Sequence, residues 1–205
     1  MRLFLGIELP SDLARRLLEQ ARERWPTPTS APTSSGAPPP RWAMPEDLHV
    51  TLRFLGEPDR DAGGPGVGMD ELTAALERLT GRAADLAPTG LDLSLERFGC
   101  FPSVGPKARV LWAGPRQCPD TWADLATAAE EEARALGFRP DDRPFRPHVT
   151  LLRPRPREAH WAASLAELPP TGLALTGARS LALFSNRGTI ERRPPRYRVE
   201  VSRSW

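Results

Sequence analysis

The tetrapeptide His-Val-Thr-Leu occurs twice, at His49–Leu52 and at His148–Leu151, 99 positions apart in a chain with only three histidines. Histidine and threonine two apart on a strand project from the same face. If the two copies share a groove, two imidazoles and two hydroxyls converge. Imidazole titrates near neutrality, so one ring can take a proton while its twin gives one. Threonine hydroxyls can donate to the non-bridging oxygens of a phosphate. His49, His148, Thr51 and Thr150 therefore suit in-line displacement at phosphorus, where the nucleophile and the leaving oxygen each need a proton transfer.

Other chemistries fit less well. A single His-x-Thr on a strand commonly marks a structural histidine, and it is the second copy in a matching slot that argues for function. A zinc site needs three or four ligands, and the two motifs hold no acid or cysteine. The third histidine, His160, is expected on the exposed side of a helix beside Trp161. Cys100 and Cys118 stand alone, without CxxC spacing, so no disulfide framework or zinc knuckle is indicated. No Gly-x-Ser-x-Gly elbow, Walker loop or GxGxxG turn is present. No cofactor and no metal are expected, and acid–base catalysis without metal fits best.

The elements that must carry these residues are legible from periodicity. Arg2–Leu9 reads as a short apolar strand. Pro10 and Ser11 open a helix with Leu13, Leu17 and Ala21 on one face. Pro26–Pro40, rich in proline, serine and threonine, reads as a flexible loop. Leu48–Gly56 alternates as a strand, with His49, Thr51 and Arg53 on one side and Val50, Leu52 and Phe54 on the other. After the Gly-rich Asp61–Gly68 a helix is expected from about Met69 to Arg82, then one strand over Leu91–Gly99. In the second half Arg109–Gly114 reads as a strand and Pro119–Gly137 as a helix ended by Gly137. His148–Arg153 is a strand, Arg157–Leu168 a helix, and Leu173–Ser185 and Arg196–Trp205 are extended.

Each half thus runs strand, helix, HVTL strand, helix, strand, which is an internal duplication. Two such lobes about a pseudo-two-fold axis would bring the HVTL strands face to face across one groove. Trp42, Phe54 and Phe145 lie near the motifs and could stack on a base, but each reads as core.

Composition limits the rest. The 205 residues suit one domain of two lobes, about 1–100 and 105–205, whose ends can cross over. With 40% hydrophobic and 26% charged residues, no signal peptide and no membrane span, a soluble cytoplasmic protein is expected. Nothing sets an oligomeric state, and a monomer is the default. Arginine clusters at Arg139–Arg157 and Arg187–Arg203, six against two acids in each. Such clusters suit bidentate phosphate recognition and permit an RNA partner, though a solvated basic face would look the same.

The segments RLFLGIELP, LHVTLRFLG, FP followed by RVLWAG, and FRPHVTLLR together resemble the 2H phosphoesterases. The likeness is to the RNA 2′,3′-cyclic phosphodiesterase branch, also described as RNA 2′-5′ ligases, and covers nearly the whole chain in order. Pro26–Pro40 and the Gly-rich GGPGVG depart from the pattern, both outside the motifs. The resemblance implies an α+β, bilobal, duplicated fold with two antiparallel sheets around a central cleft and helices outside. It implies hydrolysis of 2′,3′-cyclic phosphate ends of RNA or nucleotides to 2′-phosphates. His49 matches the proton donor and His148 the proton acceptor, with Thr51 and Thr150 on the phosphate. The extended form HxTxxR places Arg153 there too. Strict alternation would turn Arg153 away from His148, so the strand must end or bulge near Pro154. A reversible 2′-5′ ligase using the same site, or a non-catalytic RNA- or nucleotide-binding module, are the alternative readings.

Overall fold

Short runs of alternating apolar residues build most of the framework. The computed structural model describes residues 1–24, 41–58, 66–102, 109–153, 170–186 and 196–205. Its strands are β1 (Arg2–Glu8), β2 (Arg41–Trp42), β3 (His49–Gly56), β4 (Leu91–Ser94), β5 (Arg97–Phe101), β6 (Val110–Gly114), β7 (Val149–Arg153), β8 (Ala174–Ala178), β9 (Ser180–Asn186) and β10 (Tyr197–Ser204). Three long helices are described: α1 (Ser11–Arg24), α2 (Met69–Leu86) and α3 (Asp120–Ala135). The expected loop at Pro26–Pro40, the helix at Arg157–Leu168 and His160 lie outside the described residues.

The strands form an eight-stranded sheet in the order β10-β9-β1-β3-β7-β6-β5, with β2 on β7, and a two-stranded sheet β4-β8. All pairings are antiparallel. The α+β class read from the sequence is borne out. The third strand of each half is exchanged, because β5 pairs with β6 and β9 with β1. The expected single strand over Leu91–Gly99 is two strands in different sheets. Leu95 breaks the run: it is fully buried and its N–H donates to the Leu173 carbonyl.

Helix faces follow the apolar spacing. Leu13, Leu17, Leu18 and Ala21 of α1, Leu72, Leu76 and Leu79 of α2, and Trp122, Leu125 and Ala129 of α3 are buried. They share one core with Leu3, Leu5, Ile7, Val50, Leu52, Val149 and Leu151 of the sheet. Full burial of each leucine, isoleucine or valine among them contributes about 1.5–3 kcal/mol. Trp122 Nε1–H is satisfied by the Asp92 carbonyl at 2.7 Å. The opposite sheet face holds a separate cluster of Phe4, Ala182 and Phe184, flanked by Tyr197 and Val199. That is the face on which His49 lies.

The repeat strands meet edge to edge rather than face to face. β3 and β7 are sheet neighbours, joined by the single bridge pair Val50–Val149. Both valines are fully buried on the helix side, so alternation puts His49, Thr51, His148 and Thr150 on the other face. The antiparallel register sets His49 opposite Thr150 and Thr51 opposite His148. A junction of one pair lets the two halves of the sheet twist apart on either side of the motifs.

A bulge interrupts alternation after each motif. On β3, Thr51 pairs with Gly6 and Arg53 with Leu5, leaving Leu52 as the extra residue. On β7, Thr150 pairs with Trp112 and Leu152 with Leu111, leaving Leu151 extra. Two consecutive side chains then face the helices, and the next one returns to the motif face. Arg53 therefore does not share the His49 face as alternation suggests. It is buried (7% exposed) and donates to Glu130 of α3 and to the carbonyls of Phe54 and Arg139. Gly6 makes the close strand approach possible: a Cβ there would lie 2.6 Å from the Val50 carbonyl oxygen.

Candidate functional site

The two motifs hold their imidazoles in the same way. His49 Nδ1 lies 2.7 Å from the Asp47 carbonyl oxygen, and His148 Nδ1 lies 2.7 Å from that of Arg146. A carbonyl only accepts, so in each ring Nδ1 carries the hydrogen and the neutral tautomer leaves Nε2 with the lone pair. Each ring also rests on aromatics. Phe4, Phe184 and Tyr197 pack on His49 with centroids 4.7, 5.2 and 4.9 Å away. Phe101 and Trp112 lie 4.9 and 6.3 Å from His148. Phe184 and Phe101 match by register. Phe184 pairs with Phe4 and Phe101 with Val110, each two residues before the partner of a motif threonine.

This packing sets the electrostatics. His49 is 9% exposed, and burial, with the nearby positive charges of His148 and Arg153, pushes its pKa down from 6.5 to about 4. His148 is half-buried, and burial with the Arg153 charge pushes it down as well. The carbonyl hydrogen bonds oppose both shifts without cancelling them. Both shifts favour the neutral imidazole at pH 7.

Arg153 follows the bulge at Leu151 and returns to the motif face. It lines a pocket with His49 and Thr150. The two HVTL copies diverge just beyond the bulge, and the position of Arg153 on β7 corresponds to Phe54 on β3. Phe54 is 49% exposed and meets Phe4 at 5.7 Å, so it lies on the His49 face and not in the core as the sequence suggests. Trp42 and Phe145 are partly buried against the main core.

Four residues of the site, Asp47, Arg196, Tyr197 and Trp112, were not found from sequence. Asp47 is 5% exposed, and its carboxylate accepts the backbone N–H groups of Arg196 and Tyr197 at 2.7 and 3.1 Å. Burial raises its pKa, against the effect of those bonds. The carbonyl of this same residue anchors His49, so Asp47 ties the start of β10 to the histidine. Arg196 and Tyr197 line the cavity with it. No local pattern marks this contact, since the partners are 149 and 150 positions apart. Trp112 is 6% exposed and lies over Gly99, where a Cβ would be 2.2 Å from the indole. Arg97 covers that ring at 5.2 Å. Among the described residues no group of three or more His, Cys, Asp and Glu side chains gathers as a ligand set, and no helix is long and apolar enough to cross a membrane.

An antiparallel α+β frame that sets two His-x-Thr pairs across one junction defines a class of phosphoesterases. The chain belongs to the 2′-5′ RNA ligase superfamily, whose family model matches residues 9–188. It is similar to the RNA 2′,3′-cyclic phosphodiesterase of Escherichia coli (strain K12), 29% identical over 171 residues, 83% of this chain and 78% of the relative. The RNA 2′,3′-cyclic phosphodiesterase of Geobacillus stearothermophilus is 30% identical over 191 residues, 93% of this chain and 53% of the relative. Crystal structures of E. coli LigT are similar throughout. The apo form has a TM-score of 0.66 at 27% identity, covering 99% of this chain and 96% of that one. The complex with 3′-AMP has a TM-score of 0.68 at 26% identity, covering 99% and 97%. The resemblance read from the motifs is thus borne out.

Proposed function

We propose that this enzyme hydrolyses the 2′,3′-cyclic phosphate end of RNA to a 2′-phosphate by acid–base catalysis without metal. The observation that carries the reading is the pair of His-x-Thr motifs set across Val50–Val149, each with Nδ1 bound to the carbonyl two residues before it. The names of the relatives agree with it. Water attacks phosphorus while His148 Nε2 takes its proton. His49 Nε2 gives a proton to the departing 3′ oxygen. Each transfer supplies roughly 10²–10⁴ in rate. Thr51 and Thr150 donate to the non-bridging oxygens, and Arg153 adds a charged, forked donor.

The bound cyclic phosphate carries one negative charge and so restores to one imidazole the proton that burial removes. Half-exposed Phe54 offers a flat apolar surface for the terminal base. Domain organisation follows the same logic: residues 1–205 form one domain of two pseudo-symmetric lobes that exchange their third strands, working as a monomer in the cytoplasm.

The test is incubation with an oligonucleotide ending in a 2′,3′-cyclic phosphate, with EDTA present, and identification of the product. A 2′-phosphate is expected. Loss of activity in EDTA with recovery on a divalent ion refutes the mechanism. A 2′-5′ joined product in place of hydrolysis favours ligation, and tight binding without turnover favours a binding module.

A further inference from the structure

The cavity beside His49 continues past the catalytic set. Its wall runs from His49 and Thr150 through Arg153 to Asp47, Arg196 and Tyr197. Two arginines, Arg153 and Arg196, line it. The cyclic phosphate has two non-bridging oxygens, and Thr51, Thr150 and Arg153 already supply donors to them. Arg196 is a surplus positive charge. Among the described residues neither Arg153 nor Arg196 has a carboxylate within salt-bridge distance. The Arg196 charge acts through space on Asp47, whose Oδ1 accepts the backbone N–H groups of Arg196 and Tyr197. Those two bonds hold the main chain at Arg196 and Tyr197 beside the residue that anchors His49.

We propose that Arg196 forms a second anion subsite, taking the phosphodiester that joins the terminal nucleotide to its 5′ neighbour. The proposal rests on the cyclic phosphodiesterase reading and extends it to substrate choice: the enzyme discriminates an RNA end from a free cyclic mononucleotide. Arginine suits the task because its planar fork matches two phosphate oxygens and remains charged at every working pH.

The experiment compares kcat/KM for 2′,3′-cyclic AMP with that for a dinucleotide ending in the same cyclic phosphate, in wild type and Arg196→Ala. The dinucleotide-to-mononucleotide ratio is expected to fall roughly tenfold or more in the variant, as loss of one charge-assisted phosphate contact does. The fall should appear in KM and weaken as salt is raised. An unchanged ratio overturns the subsite, including the case where both substrates fall together, which would put Arg196 on the cyclic phosphate itself. Failure of the wild type to open either substrate overturns the underlying reading and the subsite with it. Should Arg196→Ala not fold, Arg196→Gln keeps the bulk of the side chain without its charge, and the same ratio decides.

Discussion

The burial of both histidines predicts a particular pH behaviour. Burial sets His49 at about 4 and His148 below 6.5. The two titrate as a pair, and the active form of the pair holds one proton. In the free enzyme that form is centred below pH 6.5, so kcat/KM should fall about tenfold per pH unit on the alkaline side of it. A bound phosphate changes this. One negative charge roughly 4 Å from an imidazolium, at an effective dielectric constant near 20, stabilises it by about 4 kcal/mol. That corresponds to about three pH units, enough to bring a histidine at about 4 back to near neutrality. The descending limb of kcat should therefore lie up to about three pH units above that of kcat/KM. Initial rates on 2′,3′-cyclic AMP from about pH 4 to 9, with the 2′-phosphate resolved by chromatography, give both profiles. A kcat/KM limb that coincides with the kcat limb, or lies above it, refutes the reasoning.

Three further outcomes follow from the site. If His49 is the acid, His49→Ala should be severely impaired on the normal cyclic phosphate yet substantially rescued when sulfur replaces the 3′ bridging oxygen, since a thiolate leaves without a proton. Rescue of His148→Ala instead would exchange the roles. Arg153→Lys keeps the charge but loses the fork, and should lower kcat/KM by about 10- to 100-fold, as loss of a hydrogen bond worth about 1.5–3 kcal/mol does; full activity would remove Arg153 from the phosphate. Arg53→Met should cost about 2–3 kcal/mol by urea unfolding, below the usual range for a broken buried pair because Glu130 remains 23% exposed. An unshifted midpoint would mean that the Arg53–Glu130 pair does not hold the β3 bulge.

The pairing of histidine with threonine and the secondary structure were local and therefore legible in the sequence. Histidine and threonine share a face because the strand period is two, and apolar residues of α1, α2 and α3 mark one helix face because the helical period is 3.6. Both patterns belong to contiguous residues. The need for a break before Arg153 was visible too, because alternation and the HxTxxR form cannot both hold on a regular strand.

Tertiary structure decided the rest, and the reason is register. A bulge belongs to a pair of strands, so nothing within HVTLRF alone shows that Leu5 and Gly6 leave Leu52 unmatched, send Arg53 to Glu130 and turn Phe54 outward. The exchange of β5 and β9 likewise depends on which edges remain open once β1 has paired with β3 and β6 with β7. The protonation state of His49 arises from distant contacts: Phe4, Phe184 and Tyr197 remove water from a ring whose own neighbours, Leu48 and Val50, face the other core. Asp47, Arg196 and Tyr197 enter the site only because the last strand returns across the first half of the chain to meet the residue that anchors His49.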